Sequence, residues 1–238
     1  MEVTAIIPAA GAGSRMGNGV YKQYLRIGRH PVLAHTLAAF EACDLVDSII
    51  VVVPQGHVDD CWHKIVKRNR FSKVGRIVPG GKHRQDSVLE ALEVVDSETG
   101  IVCIHDGVRP FIEPAKIAET IILCAHWDAV VVAVSAKDTI KTAERGLVKR
   151  TLDRQSLWCV QTPQTFDYQL IYTAYQRAME AEVYTTDDSS LVERLGHAVK
   201  IVEGSYDNIK ITTPVDLCTA KMILERRGSC LARYKAGG

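Results

Sequence analysis

The sequence predicts an α/β protein, with a mostly parallel sheet covered by helices on both faces. Apolar runs rich in Val and Ile recur at residues 3–7, 48–53, 101–104 and 129–134, the pattern of strands buried on both sides. Stretches with apolar residues at helical spacing separate them, giving a βαβ alternation. A polar, charged stretch over 136–157 breaks that rhythm and reads as strand, Gly-containing turn and strand, a β-hairpin arm.

The first strand, residues 3–7, stops at Pro8 and feeds a loop of small residues, Ala9 to Gly17, that contains Arg15 and is followed by Lys22. Glycine lets backbone N–H groups approach an anion, and the two cations supply charge to hold it. A dinucleotide-binding loop is excluded, because Met16 stands where its third glycine belongs. An ATP-type P-loop is excluded as well, since no Gly-Lys-Ser/Thr follows the glycines. The plain alternative is a turn whose glycines bind nothing.

Further along, residues 31–43 predict a helix with Pro31 in its first turn, and 48–53 a continuous buried strand. Residues 57–70 read as a mixed polar helix, 74–78 as a short strand, and 85–95 as a helix after the Gly80-Gly81 break. A strand at 101–104, a helix at 114–126 and a strand at 129–134 follow. After the hairpin the chain returns through Thr162-Pro163-Gln164 to a helix over 168–181. A short helix then follows the cap signal Thr185 to Asp188. A strand at 199–202 and a helix at 214–226, capped by Thr213, close the pattern. One domain over 1–228, including the 136–157 arm, and a flexible 229–238 tail are expected.

Composition narrows the function. With 29 basic and 28 acidic residues the net charge is +1, so no global field draws the chain to nucleic acid or to a membrane surface. No apolar run approaches the roughly 20 residues of a membrane span, and no signal-peptide core precedes the first strand. The seven scattered cysteines lack metal spacing and suggest reduced, mostly buried thiols in a cytoplasmic protein. The remaining histidines and the tryptophans are assigned to packing.

Ligands of open α/β sheets sit at the carboxyl ends of the strands. The strand at 101–104 delivers His105-Asp106-Gly107-Val108-Arg109-Pro110 to the same edge as the glycine loop. Asp-Gly is often only a turn. After a buried strand and beside a phosphate loop, Asp106 suits Mg²⁺, which binds carboxylates together with substrate phosphates.

Several motifs occur together and in order: Pro8-Ala-Ala-Gly-x-Gly-x-Arg-Met16, Lys22-Gln-Tyr-Leu25, Gly80-Gly81 with Arg84 and Asp86-Ser87, and His105-Asp-Gly-x-Arg-Pro110. Asp153-Arg154, Thr162-Pro163-Gln164, Thr186-Asp187 and Asn208-Ile-Lys-Ile-Thr212 complete the set. Along nearly its whole length the chain resembles the 2-C-methyl-D-erythritol 4-phosphate cytidylyltransferase family of the non-mevalonate isoprenoid pathway. Its fold is Rossmann-like, of the nucleotide-diphospho-sugar transferase type. The resemblance implies transfer of a cytidylyl group from CTP to methylerythritol phosphate, with release of pyrophosphate and with Mg²⁺ as cofactor. It places Ala9, Ala10, Gly11, Gly81, Ser87 and Asp106 at the nucleotide, and Arg15 and Lys22 at the triphosphate as catalytic cations. Arg109, Thr139, Arg154, Thr162, Thr186 and Lys210 would line the alcohol-phosphate pocket, and Asp106 and Asp207 would meet the metal. Lys82 follows the glycine pair, where no side-chain contact to the base is assumed. The implied assembly is a homodimer built on the arm.

Chemistry supports the same reading. A phosphomonoester is an anionic nucleophile near neutral pH and needs no general base; the difficulty is bringing it to an anionic α-phosphate, which calls for placed cations. One rival is a cytidylyltransferase for another polyol phosphate such as ribitol 5-phosphate, against which Ala9-Ala10-Gly11 argues. Another is a nucleotide-binding scaffold without activity, against which the Arg15, Lys22 and Asp106 set argues.

Overall fold

The computed structural model describes residues 1–11 and 21–227. The expectations for Arg15 and the 229–238 tail lie outside the described residues. A seven-stranded sheet runs in the order β11-β7-β10-β6-β1-β4-β5. Its strands are β1 (Glu2–Pro8), β4 (Ser48–Val53), β5 (Val74–Pro79), β6 (Thr99–Ile104), β7 (Ala129–Ser135), β10 (Trp158–Asp167) and β11 (Lys200–Glu203). β1 pairs in parallel with β4 on one side and β6 on the other. The chain therefore reverses its direction of travel across the sheet at β1, and the carboxyl ends of β1 and β6 flank the switch point where such folds bind ligands.

Successive β1 side chains serve opposite faces, as strand geometry dictates. Ala5 and Ile7 pack into one cluster with α1 (Val32–Glu41) and α4 (Pro114–Trp127), and Ile6 into another with α3 (Arg84–Leu92) and α5 (Tyr168–Glu180). Each fully buried Ile or Val contributes about 1.5–3 kcal/mol, so these strands anchor the loops at their ends. A smaller cluster joins Ile27, Val32, Val108, Phe111 and Ile211 to α7 (Pro214–Arg227).

Strand and helix positions follow the sequence pattern closely, with two departures. The helix expected at 57–70 begins as α2 (Val58–Cys61) and continues as a π-helical stretch, Trp62–Lys67. More important, β10 was not expected. It runs antiparallel between β6 and β7, with a register shift between Val160 and Gln164. Pro163 sits in that shift, and a proline inside an apolar run argues against a central strand unless a bulge accommodates it. The other short elements are α6 (Ser189–Arg194) and the two-residue ribbon β2 (Arg26–Ile27) and β3 (His30–Pro31).

The 136–157 stretch forms the expected hairpin, β8 (Lys141–Glu144) against β9 (Leu147–Thr151), a separate two-stranded sheet. Its turn residues Arg145 and Gly146 have φ of 49° and 80°, the double left-handed conformation of a tight hairpin turn. Every residue of both strands is exposed, Leu147 and Val148 included. Packing does not explain all cysteines and tryptophans, as the composition suggested. Cys43, Cys61, Cys103 and Cys124 are buried, but Cys159 and Cys218 are exposed, and Trp62, Trp127 and Trp158 are each more than a third exposed.

Candidate active site

Two adjoining clefts open at the switch point. One, of about 380 Å³, is lined by Ala9, Ala10 and Gly11 after β1, by Lys22, and by Gly81, Lys82 and Ser87 at the start of α3. The other, of about 510 Å³, is lined by Arg109, Thr162 and Gln164, and by Thr186 with the residues after it. Arg84, Asp106 and Lys210 line both. Both volumes fall in the range of small-molecule sites, roughly 300–1,000 Å³.

Small residues, Ala9 to Gly11 and Gly81, form part of the first cleft, and Lys22, Lys82, Arg84 and Lys210 bring cations to it. Gly80 lets the loop before α3 press against it, because a Cβ there would stand 2.4 Å from the Ala10 Cβ. Among the described residues nothing stands within 4 Å of a Cβ added at Gly11. Ala9 donates its N–H to the Val52 carbonyl at 2.7 Å, so that N–H belongs to the fold. Ser87, 3 % exposed, donates its hydroxyl to the His83 carbonyl.

Asp106 is the joint between the clefts. Its carboxylate meets Lys210 Nζ at 2.8 Å, Arg84 Nε at 3.1 Å and Arg109 Nε at 3.4 Å. Burial alone would raise its pKa, but Arg84, Lys210 and Arg109 outweigh that and hold the carboxyl well below the usual range. Arg84 in turn makes a two-pronged pair with Asp188, both contacts at 2.7 Å, and Asp188 also accepts the Tyr175 hydroxyl. Burial works against the Arg84 charge; Asp188 and Asp106 overcome it and raise its pKa.

Beneath Asp106 lies a polar chain that fixes the backbone. His105 is fully buried, and its Nε2 lies 3.0 Å from the Arg109 carbonyl, which can only accept. Nε2 therefore carries the proton, and Nδ1 accepts from the Thr162 hydroxyl at 3.1 Å. The same Thr162 oxygen accepts the Asp106 N–H at 3.1 Å. Burial keeps the imidazole neutral, with its pKa lowered to about 4. Arg109 also donates to the Asn208 carbonyl at 2.8 Å, and Asn208 Nδ2 donates to the Thr162 carbonyl at 2.9 Å. β10 thus delivers Thr162 to β6.

Gln164, also on β10, holds the second cleft's rim. It donates to Asp187 at 3.0 Å and accepts the Ser189 N–H at 2.8 Å. The expected cap is divided between two acids: Asp187 accepts from the Ser190 N–H, whereas Asp188 makes no cap bond and turns to Arg84.

The structure brings together Ala9, Ala10, Gly11, Lys22, Gly81, Ser87, Asp106, Arg109, Thr162, Thr186 and Lys210. It does not bring Thr139 or Arg154 there. Both are exposed at the base of the arm, where Arg154 donates to the Lys137 carbonyl at 2.8 Å. Asp207 is also elsewhere, paired with Arg227 at 2.9 Å and closely with Arg226, so its carboxylate is occupied. Asp106 is then the only predicted metal carboxylate at the cleft. Its oxygens already meet Arg84, Arg109 and Lys210, so a Mg²⁺ there would be held mainly by substrate phosphates and water. Sequence reasoning left out His105, Asn208, Gln164, Arg84 and Asp188. The first four lie within motifs that the family resemblance already singled out, while Asp188 read only as a helix cap.

The switch-point sheet and the two adjoining clefts that share Arg84, Asp106 and Lys210 are those of a nucleotidyltransferase. The family model for IspD, 2-C-methyl-D-erythritol 4-phosphate cytidylyltransferase, matches residues 3–226. The protein of that name from Geotalea uraniireducens is 48 % identical over 227 residues, covering 94 % of this chain and 97 % of its own. Its counterpart from Pelotomaculum thermopropionicum is 47 % identical over 238 residues, covering 100 % of this chain and 99 % of its own. Among solved structures, 4-diphosphocytidyl-2C-methyl-D-erythritol synthase from Anaerococcus prevotii is 34 % identical with a TM-score of 0.84, covering 94 % of this chain and 96 % of that one. The Thermus thermophilus cytidylyltransferase is 31 % identical with a TM-score of 0.78, covering 94 % and 100 %. The chain belongs to the 2-C-methyl-D-erythritol 4-phosphate cytidylyltransferase family.

Proposed function

We propose that the enzyme binds CTP in the cleft lined by Ala9, Ala10 and Gly11 and the alcohol phosphate in the one lined by Arg109 and Thr162. It transfers the cytidylyl group of CTP to 2-C-methyl-D-erythritol 4-phosphate, giving the cytidine diphosphate alcohol and pyrophosphate. The observation that carries the geometry is the meeting of the two clefts at Asp106, Arg84 and Lys210. A phosphate oxygen of the alcohol attacks the α-phosphorus, and the bond from that phosphorus to the oxygen bridging the β-phosphate breaks. No proton need move. Lys22, with Arg15, is assigned to the triphosphate, where leaving-group charge develops.

Lys210 and Arg109 are assigned to the attacking phosphate, and Thr162 and Thr186 to its pocket wall. Ala10, Gly11, Gly81 and Ser87 form the nucleotide wall, with Ala9 contributing through the loop it anchors. A divalent metal is a general requirement of nucleotidyltransferases; here we assign Mg²⁺, with Asp106 as its carboxylate. When bound, it neutralises phosphate charge. Asp207, which lines neither cleft, is not assigned to it.

Thr139 and Arg154 are assigned to a pocket in trans. The exposed hairpin would pack on a second subunit, and two-fold symmetry would carry each arm to its partner's cleft. Among the described residues no helix is long and apolar enough to cross a membrane, and we assign the enzyme to the cytoplasm. Pyrophosphate release from CTP, measured with methylerythritol phosphate and with ribitol 5-phosphate, tests the reading. Turnover with the first alone is expected; preference for the second, or no turnover with either, would overturn it.

A further inference from the structure

The arm over residues 136–157 has few polar ties to the rest of the chain. Among the described residues, its hydrogen bonds and ion pairs stay within the stretch itself. Ala136 donates to the Leu157 carbonyl and Leu152 to the Ile140 carbonyl, each at 2.9 Å. These bonds join the two limbs of the arm to each other, not to the sheet. A two-stranded hairpin is marginal alone, so the arm's direction depends on how its root is held.

Tyr206, between β11 and α7, holds that root from outside. Its hydroxyl donates to the carbonyl of Ser135, the last residue of β7, at 2.7 Å. The Lys137 ammonium stands 3.3 Å from its ring centroid, well inside the roughly 6 Å reach of a cation–π contact. Arg154, on the returning limb, donates to the Lys137 carbonyl. One ring therefore meets the residue at which both limbs join. An exposed tyrosine alone would be ordinary surface, but this one rises from a fastened segment. Gly204 donates to the Ala133 carbonyl at 2.7 Å, the Ser205 carbonyl accepts from Gln161 at 2.9 Å, and Ile211 donates to the Val108 carbonyl at 2.9 Å. The same segment carries Asn208 and Lys210 to Arg109, Thr162 and Asp106.

We propose that Tyr206 is a positioning residue, which fixes the root of the arm and so sets where Thr139 and Arg154 arrive in the second subunit's cleft. This rests on the assignment of the arm to that cleft in trans. Tyr206 touches no substrate; it acts through Ser135 and Lys137. Its effect falls on the neighbouring subunit's hold on the alcohol phosphate, and not on its own chain's nucleotide cleft.

The test uses the full chain and dimers assembled from two differently tagged chains, isolated on both tags. Losing one hydrogen bond and one exposed cation–π contact should raise KM for methylerythritol phosphate about tenfold in Tyr206→Ala. KM for CTP and kcat should change little. Tyr206→Phe, which keeps the ring against Lys137, should fall between Tyr206→Ala and wild type. Mixed dimers of Tyr206→Ala with Arg15→Ala are decisive. Their one active cleft belongs to the Tyr206→Ala chain and receives the arm of the other chain, whose Tyr206 is intact. KM for the alcohol phosphate should therefore return to the wild-type value. A KM still raised in these mixed dimers would overturn the proposal, since Tyr206 would then act on its own cleft through Asn208 and Lys210. So would an unchanged KM in the Tyr206→Ala homodimer, or a Tyr206→Phe variant as impaired as Tyr206→Ala. Mixed dimers of Arg154→Ala with Arg15→Ala are the control: inactivity there would remove the trans arm itself, and this proposal with it.

Discussion

Replacing Asp188 by Asn tests how the buried charges around Asp106 are held. Asp188 is 1 % exposed at its side chain, and its two oxygens meet Arg84 at 2.7 Å each. Removing one partner of a buried pair costs about 3–5 kcal/mol. Asparagine keeps the volume and one acceptor, and Arg84 keeps Asp106 and a side chain 30 % exposed to water, which places the loss at about 3 kcal/mol. For a chain of this size roughly 2–4 °C of Tm accompany each kcal/mol, so Tm should fall by about 6–12 °C. Thermal unfolding should be followed at one fixed protein concentration, since an oligomer's Tm depends on it. In parallel, kcat/KM for the alcohol phosphate, measured where the variant is still folded, should fall about tenfold, because Arg84, no longer held by a second carboxylate, positions Asp106 less firmly. A Tm within about 2 °C of wild type would refute the reasoning, since the pair would then be worth no more than a surface contact.

Other outcomes follow from the same geometry. Lys22→Ala should lower kcat by about 10²–10³ while changing KM for CTP little; a raised KM with kcat intact would remove its assigned role. Activity should vanish in EDTA and return with Mg²⁺, and Asp106→Asn should blunt the recovery; full turnover in metal-free buffer would contradict the metal assignment. His105 has its pKa lowered from 6.5 to about 4. Its contribution is therefore present above pH 6.5, is lost as pH falls toward 4, and amounts to about 3 kcal/mol. Urea unfolding of wild type and His105→Gln across that window should show the extra loss only in wild type, and parallel curves would sink the idea. Arg15→Ala and Arg154→Ala, each inactive alone, should regain about a quarter of wild-type activity when refolded together, since half the dimers are mixed and each holds one intact site. No recovery with mixed dimers present would place Arg154 in its own chain's site or in none.

Much of the fold could be read from residue pattern because buried strands carry their own signature. The Ser48–Val53 run appears as β4 with the expected bounds. β10 could not be read that way, since Pro163 and the polar residues Gln161, Thr162 and Gln164 break its apolar pattern. Those same residues make the site: Gln161, Thr162 and Gln164 are buried because each has partners from other elements. Local pattern registers hydrophobicity, whereas these polar groups are buried by long-range hydrogen bonds. The motifs located Asp106, Arg109 and Lys210 but not their order of attachment, which depends on contacts as far apart in sequence as Arg84 and Asp188.

That order of attachment bears on how one buried carboxylate serves a reaction between anions. Asp106 meets three cations, so the cluster keeps a positive balance even while its acid is ionised. The three are not equally tied. Arg84 is held by Asp188 as well as Asp106, and Arg109 by the Asn208 carbonyl with its side chain only 12 % exposed. Lys210 has a side chain 38 % exposed and, among the described residues, an ion pair to Asp106 alone. An arriving phosphate can draw Lys210 across the cleft without undoing the fold, while Arg84 and Arg109 stay in place and keep Asp106 and Asp188 neutralised. Pre-organised charge of this kind requires no reorganisation at the moment of reaction. Asp106 is accordingly the fixed point about which the cations are arranged, and its place at the end of β6 follows from the buried strand that carries it.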